Sequence, residues 1–198
     1  MSVRQSLLAI LDQGPCYGYQ LRAEFERRTG SGPALNVGQV YTTLERLERD
    51  GLVVKGGADE HGHVHYEITP DGREQARAWL RSADSPTSGA RDDFATQVTL
   101  AATLPGADVD TLIRRHRARL MRDLERIERG LTDTDDAADI PSRLSASRRD
   151  SRARADLAWL DSVEAQLTKG PYAAFPLSGA SDRPRRGRPP KALSDAAN

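Results

Sequence analysis

Cysteine is almost missing from this sequence, which has only Cys16 among its 198 residues. A single cysteine excludes an internal disulfide framework and fits the reducing cytoplasm. The first residues contain no apolar run of the kind found in signal peptides, and no segment is apolar for long enough to span a bilayer. These absences predict a soluble, cytoplasmic protein.

An excess of charge of one sign is also missing, because 29 basic side chains are balanced by 29 acidic ones. Residues 1–80 contain nine basic and eleven acidic side chains, so this part is not a polycation. If it binds nucleic acid, its positive charge must be concentrated on one face. Only three of the basic residues are lysine, a bias that is typical of GC-rich bacterial genomes.

The sequence also lacks the residue patterns typical of enzyme active sites and metal sites. Serine, histidine and aspartate residues are scattered, without a nucleophile elbow or a glycine-rich loop. Cys16 has no evident histidine or aspartate partner, which favours a packed or partly exposed thiol over a nucleophile. His61, His63 and His65 alternate, but no cysteine or carboxylate is placed to complete a tetrahedral zinc site. The sequence therefore predicts neither an enzyme nor a cofactor or metal centre.

The most informative stretch that is present, residues 36–51, has the pattern of a short capped helix. Asn36 is a preferred N-cap residue, and Gln39, three residues later, completes a capping box. Gly51 stands where a left-handed residue closes a helix. Apolar residues at spacings of three and four predict one buried stripe, formed by Val37, Val40, Leu44 and Leu47.

The opposite face of this helix offers hydrogen-bonding groups and little apolar bulk. A short helix that buries one face and presents Gln, Thr, Tyr and Arg on the other is suited to the major groove of DNA. Many solvated helices share this pattern, so the neighbouring segments decide the interpretation. The candidate DNA-binding residues on this face are Gln39, Tyr41, Thr42, Thr43 and Arg46.

The segments around this helix complete a winged helix-turn-helix pattern. Capping and periodicity predict helices over residues 2–11 and 18–28, and a Gly/Pro turn precedes the third helix. Residues 52–55 and 64–69 predict the strands of a β-hairpin with its tip at residues 56–62. Thr69 and Pro70 then begin a fourth helix. The wing would place four side chains near DNA phosphates: Lys55, His61, His63 and His65.

Three ordered motifs lie within residues 15–72: PCYGYQL at 15–21, GQVYTTLERLERDGLV at 38–53 and YEITPDG at 66–72. Together they resemble the PadR family of bacterial transcriptional regulators, a far more specific match than one motif would give. The resemblance implies a winged helix-turn-helix domain. Two departures stand out, because the family often has histidine at Tyr17 and arginine or lysine in the wing, where this chain has His63 and His65. They bear on the affinity and pH dependence of the wing, not on the fold.

The second half of the chain is predicted to be helical over residues 92–104, 108–131 and 141–169. Its apolar stripes are narrow, with a polar interruption at His116, so these helices must pair with one another or with a second subunit. The PadR resemblance implies a homodimer, whose twofold axis would place two recognition helices about one DNA turn apart. A monomeric helical subdomain stays open as the alternative.

Residues 170–198 are rich in Pro, Gly, Ser and Ala and are predicted to be a disordered basic tail. Within the tail, residues 184–191 (PRRGRPPK) resemble an AT-hook, whose Gly-Arg-Pro core lies in the narrow minor groove of A·T-rich DNA. Proline keeps such a chain extended. The alternative is a tail that adds only salt-sensitive, non-specific attraction. The candidate minor-groove residues are Arg186, Gly187, Arg188 and Pro189.

Two tryptophans and one tyrosine are candidate contacts for a small aromatic effector. In some PadR-like multidrug-sensing proteins, a tryptophan of the last helix stacks on a planar ligand, and Trp159 has a similar place. Plain packing is the alternative, because aromatic side chains fill cores as readily as pockets. Trp79 and Tyr19 complete this candidate set.

These observations predict a mainly α fold with a small β-hairpin wing. The expected parts are a winged helix-turn-helix DNA-binding domain (1–83), a linker (84–91), a helical dimerisation domain (92–169) and the tail (170–198). The predicted function is that of a nucleoid-associated bacterial repressor, a homodimer that binds a palindromic operator in double-stranded DNA and is released by a small molecule. Two alternatives stay open: an architectural protein that binds DNA mainly through its tail, and a protein-interaction module built on the helical half.

Overall fold

The computed structural model describes residues 2–30, 35–60, 62–83, 93–132, 140–169 and 174–178. His61, the expected linker and the AT-hook-like motif lie outside these ranges. The described chain is mainly helical with a small antiparallel sheet, which confirms the predicted fold class. None of its helices combines the length and the apolar character needed to cross a membrane. The elements are α1 (Ser2–Leu11), β1 (Cys16–Tyr17), α2 (Gly18–Thr29), α3 (Val37–Arg49), β2 (Val53–Ala58), β3 (Val64–Ile68), α4 (Pro70–Arg81), α5 (Asp93–Thr103), α6 (Val109–Thr132) and α7 (Ile140–Thr168).

Helix α3 forms as its sequence predicts, because both of its ends are satisfied locally. The Asn36 side chain accepts a hydrogen bond from the Gly38 amide (2.9 Å), and the Asn36 amide donates to the Gln39 side-chain oxygen (3.1 Å). Gly51 adopts a left-handed conformation (φ 72°), which costs glycine little. The fully buried residues of α3 are Val40, Leu44 and Leu47. One face of α3 is thereby fixed in the core, and the other is open to solvent.

Replacing Asn36 with alanine is expected to lower the free energy of unfolding by about 1 kcal/mol, because the Gly38 amide loses its acceptor. Asn36→Asp keeps an acceptor oxygen at the same place and is expected to stay close to the parent protein. Urea unfolding followed by circular dichroism measures both variants. Equal losses in the two variants would contradict the capping explanation.

A third strand, which the sequence analysis did not predict, joins the wing. The sheet order is β1-β3-β2, with Cys16 opposite Tyr66 and Tyr17 opposite His65 in antiparallel register. A strand of two residues is too short to show an alternating pattern in the sequence. Strand β1 connects the segment before α2 to the wing. Strand β3 therefore has a paired strand on each of its two edges.

The sequence predicts that Gly56 and Gly57 belong to the hairpin tip. In the structure strand β2 extends to Ala58, so both glycines belong to the strand. Its register with β3 is irregular between Lys55 and Ala58. Glycine favours turns, but within a strand it also marks bulges, and that is its place here. The wing is therefore longer, and its tip shorter, than the sequence indicated.

Helix α4 begins at the predicted Thr69 cap and packs very closely on the segment that leads into β2. The Gly72 amide donates to the Thr69 hydroxyl oxygen (3.1 Å), and this hydroxyl donates to the Gly51 carbonyl (2.8 Å). A Cβ on Gly72 would lie 2.1 Å from the Leu52 carbonyl oxygen and 2.8 Å from a side-chain carbon of Ile68. The close approach of α4 therefore requires glycine at this position.

The second half of the described chain forms its own apolar cluster from α5, α6 and α7. The buried members are Val98, Ala101, Val109, Leu112, Ile113 and Leu160. His116, expected as a polar interruption, is only 2% exposed. Its Nε2 atom lies 2.9 Å from the side-chain oxygen of Gln97, so the imidazole is buried with a polar partner.

Residues 174–178, which we name the strap, lie against α2 and α5. We had expected no fixed contacts from residue 170 onward. The Phe175 amide donates to the Thr103 carbonyl at 3.3 Å, and Leu177 packs against the core that α1–α4 share. The strap has no periodic pattern, and its hydrogen-bond partners on α2 stand 147 to 158 positions earlier in the chain. Its order therefore depends on tertiary contacts that local sequence does not encode.

Candidate nucleic-acid interface

The polar face of α3 lies at the surface of the molecule. Because the buried stripe holds the opposite side of the helix, these side chains project from a fixed frame. Thr43 is half-buried, at the edge of the face. The exposed candidates are Gln39, Tyr41, Thr42 and Arg46.

Tyr41 is held in place by the first residue of α2. Its ring lies over Gly18, where a Cβ would come within 2.7 Å of the ring carbon Cζ. Tyr41 nevertheless keeps 37% of its surface exposed. Because Gly18 has no side chain, the ring packs on α2 and still reaches solvent.

Two of the predicted contact residues already use part of their hydrogen-bonding capacity within α3. The side-chain oxygen of Gln39 accepts from the Asn36 amide, and the Thr43 hydroxyl donates to the Gln39 carbonyl (2.6 Å). The Gln39 amino group is left as a donor, and the Thr43 hydroxyl is left as an acceptor. Bidentate recognition of adenine by Gln39 would require the capping box to open.

The two arginines of α3 differ in their partners. Arg49 lies 3.4 Å from the carboxylate of Asp50, which also binds Arg4 at 2.8 Å. The hydrogen bond from Arg4 is the main cause that holds the pKa of the Asp50 carboxyl below its ordinary value. Among the residues that the structure describes, none forms an ion pair or hydrogen bond with the Arg46 side chain. Its guanidinium is therefore the one on α3 that a ligand meets without displacing a carboxylate.

The wing histidines lie against Tyr17 and are half-buried. Tyr17 stacks on His63 with ring centroids 4.6 Å apart and meets His65 edge-on at 5.6 Å. His63 also lies 3.2 Å from the Asp59 carboxylate. The two departures from the PadR motifs therefore contact each other and attach the wing to β1. Lys55 is exposed on β2, where it is free to approach a phosphate.

Cys16 is fully buried beneath the wing. Burial is the main cause that raises the pKa of its thiol to about 12, so it is not a thiolate at neutral pH. Within the described ranges, no group of three or more His, Cys, Asp or Glu side chains is arranged to hold a metal ion. The exposed donors of α3, together with Arg46 and Lys55, are groups of the kind that contact DNA phosphates and bases.

Comparison with protein families gives two matches along the chain. Residues 7–78 match the transcriptional regulator PadR-like family. The chain contains a PadR-like domain. Residues 90–168 match the family described as virulence activator alpha C-term, which covers α5, α6 and α7. The PadR-like domain includes α2, α3 and the whole wing.

Solved structures similar to the chain include bacterial regulators at low identity. A transcriptional regulator from Clostridium thermocellum, Cth-833, is 25% identical with a TM-score of 0.36, over 38% of this chain and 74% of its own. Bacillus subtilis PadR in complex with operator DNA is 17% identical with a TM-score of 0.41, over 84% and 99%. The same protein in complex with p-coumaric acid is 17% identical with a TM-score of 0.38, over 85% and 99%. The comparison with curated proteins gives no match.

The three effector candidates lie in different places. Trp159 is half-buried in the C-terminal cluster, with its ring centroid 5.1 Å from that of Phe94. Trp79 packs against the core of the PadR-like domain. Tyr19 is 48% exposed on α2. The candidates therefore do not form one aromatic site.

A series of contacts that the sequence does not reveal connects Trp159 with α4. Phe94, which contacts Trp159, lies edge-on to His116 with centroids 4.7 Å apart. His116 pairs with the oxygen of Gln97, and the amino group of Gln97 donates to the Trp79 carbonyl at 2.5 Å. These contacts join α7 to the last turn of α4 through two buried polar side chains, His116 and Gln97.

A cavity of about 390 Å³ lies between α4 and α6, and the sequence does not predict it. Arg115 donates to the carbonyl of Arg81, and Arg119 donates to the carbonyl of Ala83. These arginines hold α6 against the end of α4, which accounts for their position without a ligand. The lining consists of Ala78, Arg81, Ser82, Ala83, Arg115, Ala118, Arg119 and Arg122.

Proposed function

We propose that the protein is a DNA-binding transcriptional regulator that acts as a homodimer and represses its target promoter. The observation that supports this most directly is α3 of the PadR-like domain. Its caps and buried stripe fix it in the core, while donors and a free guanidinium are exposed on the other face. A fixed helix of this kind is suited to reading base edges in the major groove.

The contacts of α3 and the wing divide into two kinds in this proposal. Arg46 is the main base contact, because a guanidinium without a partner binds guanine through two hydrogen bonds. The Gln39 amino group and the Thr42 hydroxyl add single hydrogen bonds. Tyr41 and Lys55 bind phosphates, which position the domain on DNA without reading the sequence.

Exposed apolar side chains on the C-terminal helices support the homodimer. More than half of the surface is exposed for Met121 (53%), Ile140 (59%) and Leu144 (66%). Apolar side chains exposed along two neighbouring helices are typical of a surface that a second subunit covers. A twofold axis through this surface would present two α3 helices to a palindromic operator.

Arg46→Ala is expected to weaken operator binding about tenfold, since a bidentate arginine contact contributes about 1–3 kcal/mol. Fluorescence anisotropy with DNA from the protein's own promoter, at fixed salt, measures this loss. Arg73→Ala is the matched control, because it removes the same charge from α4, where Arg73 binds Asp12 at 2.8 Å. The control is expected to stay within about twofold of the parent. Equal losses would show a general charge effect and contradict a specific contact.

A footprint on the same promoter tests the function itself. The expected result is sequence-selective protection of two half-sites about one helical turn apart, which persists at physiological salt. A chain that ends at Ser178 lacks residues 179–198, including the AT-hook-like motif, and selective protection is expected to survive there with lower affinity. Loss of all selective protection in the shorter chain would instead support an architectural protein that binds through its tail.

Release by an effector is proposed to use the contacts between α7 and α4. A planar compound that stacks on Trp159 would displace Phe94 and alter the bonds that Gln97 makes to α4, which changes the relative populations of two dimer geometries. Tryptophan fluorescence titrated with planar aromatic compounds tests this, with Trp159→Phe as the control. A compound that quenches Trp159 but leaves DNA affinity unchanged would contradict this route.

A further inference from the structure

One side of α2 binds the backbone of the strap through side chains spaced along the helix. Glu24 accepts a hydrogen bond from the Ser178 amide (3.0 Å), and Gln20 donates to the Ser178 carbonyl (2.9 Å). Arg27 donates to the Pro176 carbonyl (2.8 Å). Because these bonds use main-chain groups, they hold the strap at a fixed position along α2.

Arg28 shows that the strap is an integral part of the core. Its side chain is fully buried and binds the Glu24 carboxylate at 3.0 Å. Its two terminal nitrogens donate to the carbonyls of Thr103 (2.7 Å) and Phe175 (2.9 Å). A buried guanidinium needs acceptors for its N–H groups, and the strap supplies one of them.

Two apolar side chains complete the docking. The ring of Phe175 lies beneath two guanidinium groups, with its centroid 4.0 Å from Cζ of Arg27 and 4.9 Å from Cζ of Arg28. Leu177 packs against the core of the PadR-like domain, next to Gly14. The strap thus combines cation–π contacts, hydrogen bonds and apolar burial, which together specify its position.

The strap runs antiparallel to α2. Phe175 contacts Arg28 in the last turn of the helix, and Ser178 contacts Gln20 about two turns earlier. The chain therefore leaves the strap near the beginning of α2. This is the end of α2 that packs on α3 through Gly18.

We propose that Gln20, Glu24, Arg27 and Arg28 form a docking site for residues 174–178, and that this docking anchors the basic tail beside α3, where the tail binds the same DNA. The proposal rests on the proposed DNA-binding function. The arginines at 185, 186 and 188 follow the strap by seven to ten residues. Eight residues span at most about 28 Å, more than the width of a DNA groove, about 12 Å at most. The tail is therefore long enough to reach a groove next to the one that α3 occupies.

Docking shortens the tether of the tail. Without the strap, the nearest preceding helix is α7, whose last residue, Thr168, precedes Arg186 by 18 residues, whereas Ser178 precedes it by eight. The effective concentration of a tethered group falls roughly as the −3/2 power of the tether length. Release of the strap is therefore expected to weaken tail-dependent DNA binding about threefold.

A double-mutant cycle tests the anchor by fluorescence anisotropy on the protein's own promoter DNA. The four chains are the parent, Phe175→Ala/Leu177→Ala, the chain that ends at Ser178, and that shorter chain with the same two substitutions. The substitutions are expected to cost about threefold in the full chain and nothing in the shorter one. An equal loss in both chains would overturn the proposal, because the strap would then act on the domain and not on the tail. No loss in either chain would overturn it as well.

A cross-link tests the docking without DNA. Gln20→Cys/Ser178→Cys is expected to form an intramolecular disulfide on mild oxidation. Glu26→Cys/Ser178→Cys is the control and is expected not to, because Glu26 lies on another side of α2, where it pairs with Arg22. If the first pair does not cross-link while the parent binds its promoter, the anchor is refuted and the proposed function stands. If the pair cross-links but the parent binds no DNA, the proposed function fails, and the anchor's role fails with it.

Discussion

Replacing Gly72 with alanine is expected to lower the free energy of unfolding by about 3 kcal/mol or more. The added Cβ would lie 2.1 Å from the carbonyl oxygen of Leu52 and 3.0 Å from its carbonyl carbon. Both atoms belong to the backbone that leads into β2, so no change of rotamer relieves the overlap. Either α4 or the wing must shift. Urea unfolding followed by far-UV circular dichroism, at an unchanged m-value, measures the loss.

Gly57→Ala is the matched control for this prediction. Gly57 lies in the wing itself, on β2, but a Cβ there would meet nothing within 4 Å. Its substitution is expected to change the free energy of unfolding by no more than about 0.5 kcal/mol. If Gly72→Ala proved as stable as Gly57→Ala, the close approach of α4 to Leu52 would be disproved.

Arg28→Met is expected to lower the free energy of unfolding by about 3 kcal/mol, because it removes the buried charge partner of Glu24 and leaves only the partly exposed Arg27 to pair with that carboxylate. Methionine fills a similar space, so the loss reflects the guanidinium and not a large cavity. The carbonyls of Thr103 and Phe175 also lose their donor. Chemical unfolding of the parent and the variant, at pH 7, measures the difference.

Arg27→Met removes a neighbouring charge that is 36% exposed, and it is expected to cost about 1 kcal/mol or less. The pH dependence gives an independent check. Burial raises the pKa of the Glu24 carboxyl, but hydrogen bonds from Arg27 and Ser178, together with the charge of Arg28, hold it below its ordinary value of 4.5. The stabilisation is therefore full above that pH and is lost as the pH falls through the lowered pKa. In Arg28→Met the pKa of the Glu24 carboxyl is expected to be lowered less, so less stability is lost as the pH falls below 4.5, and an unchanged profile would contradict the buried pair.

The parts of the fold that depend on near neighbours could be predicted from the sequence. The capping box at Asn36, the αL residue Gly51 and the Thr69 cap each involve residues within a few positions of one another. Helix capping depends on local backbone geometry, so a sequence pattern of a few residues is enough to predict it. The same holds for the buried stripe of α3, because helical periodicity fixes which residues face the core.

The parts that depend on distant neighbours could not be predicted. The strap binds residues 147 to 158 positions earlier, and five residues that include a proline show no period. In the sequence, His116 looks like an interruption of an apolar stripe. In the structure it pairs with Gln97, which lies on another helix. In both cases the stabilising partner is a tertiary one.

The candidate site was predicted in part. Sequence indicated which face of α3 is polar, but it could not show which groups on that face are already hydrogen-bonded, because the Gln39 oxygen has a second role in the cap. The unusual Tyr17 and the wing histidines were noted as separate departures. Their stacking appears only when β1 and β3 pair, which brings Tyr17 opposite His65 and next to His63.

The strap also determines when, during synthesis of the chain, the core around Arg28 can be completed. A ribosome adds Phe175, whose carbonyl accepts a hydrogen bond from Arg28, 147 residues after Arg28 itself. Until then, Arg28 lacks one of the acceptors that it has in the complete fold. A nascent chain that has not reached Phe175 therefore cannot complete the core around Arg28, even when all of α1–α4 has been made.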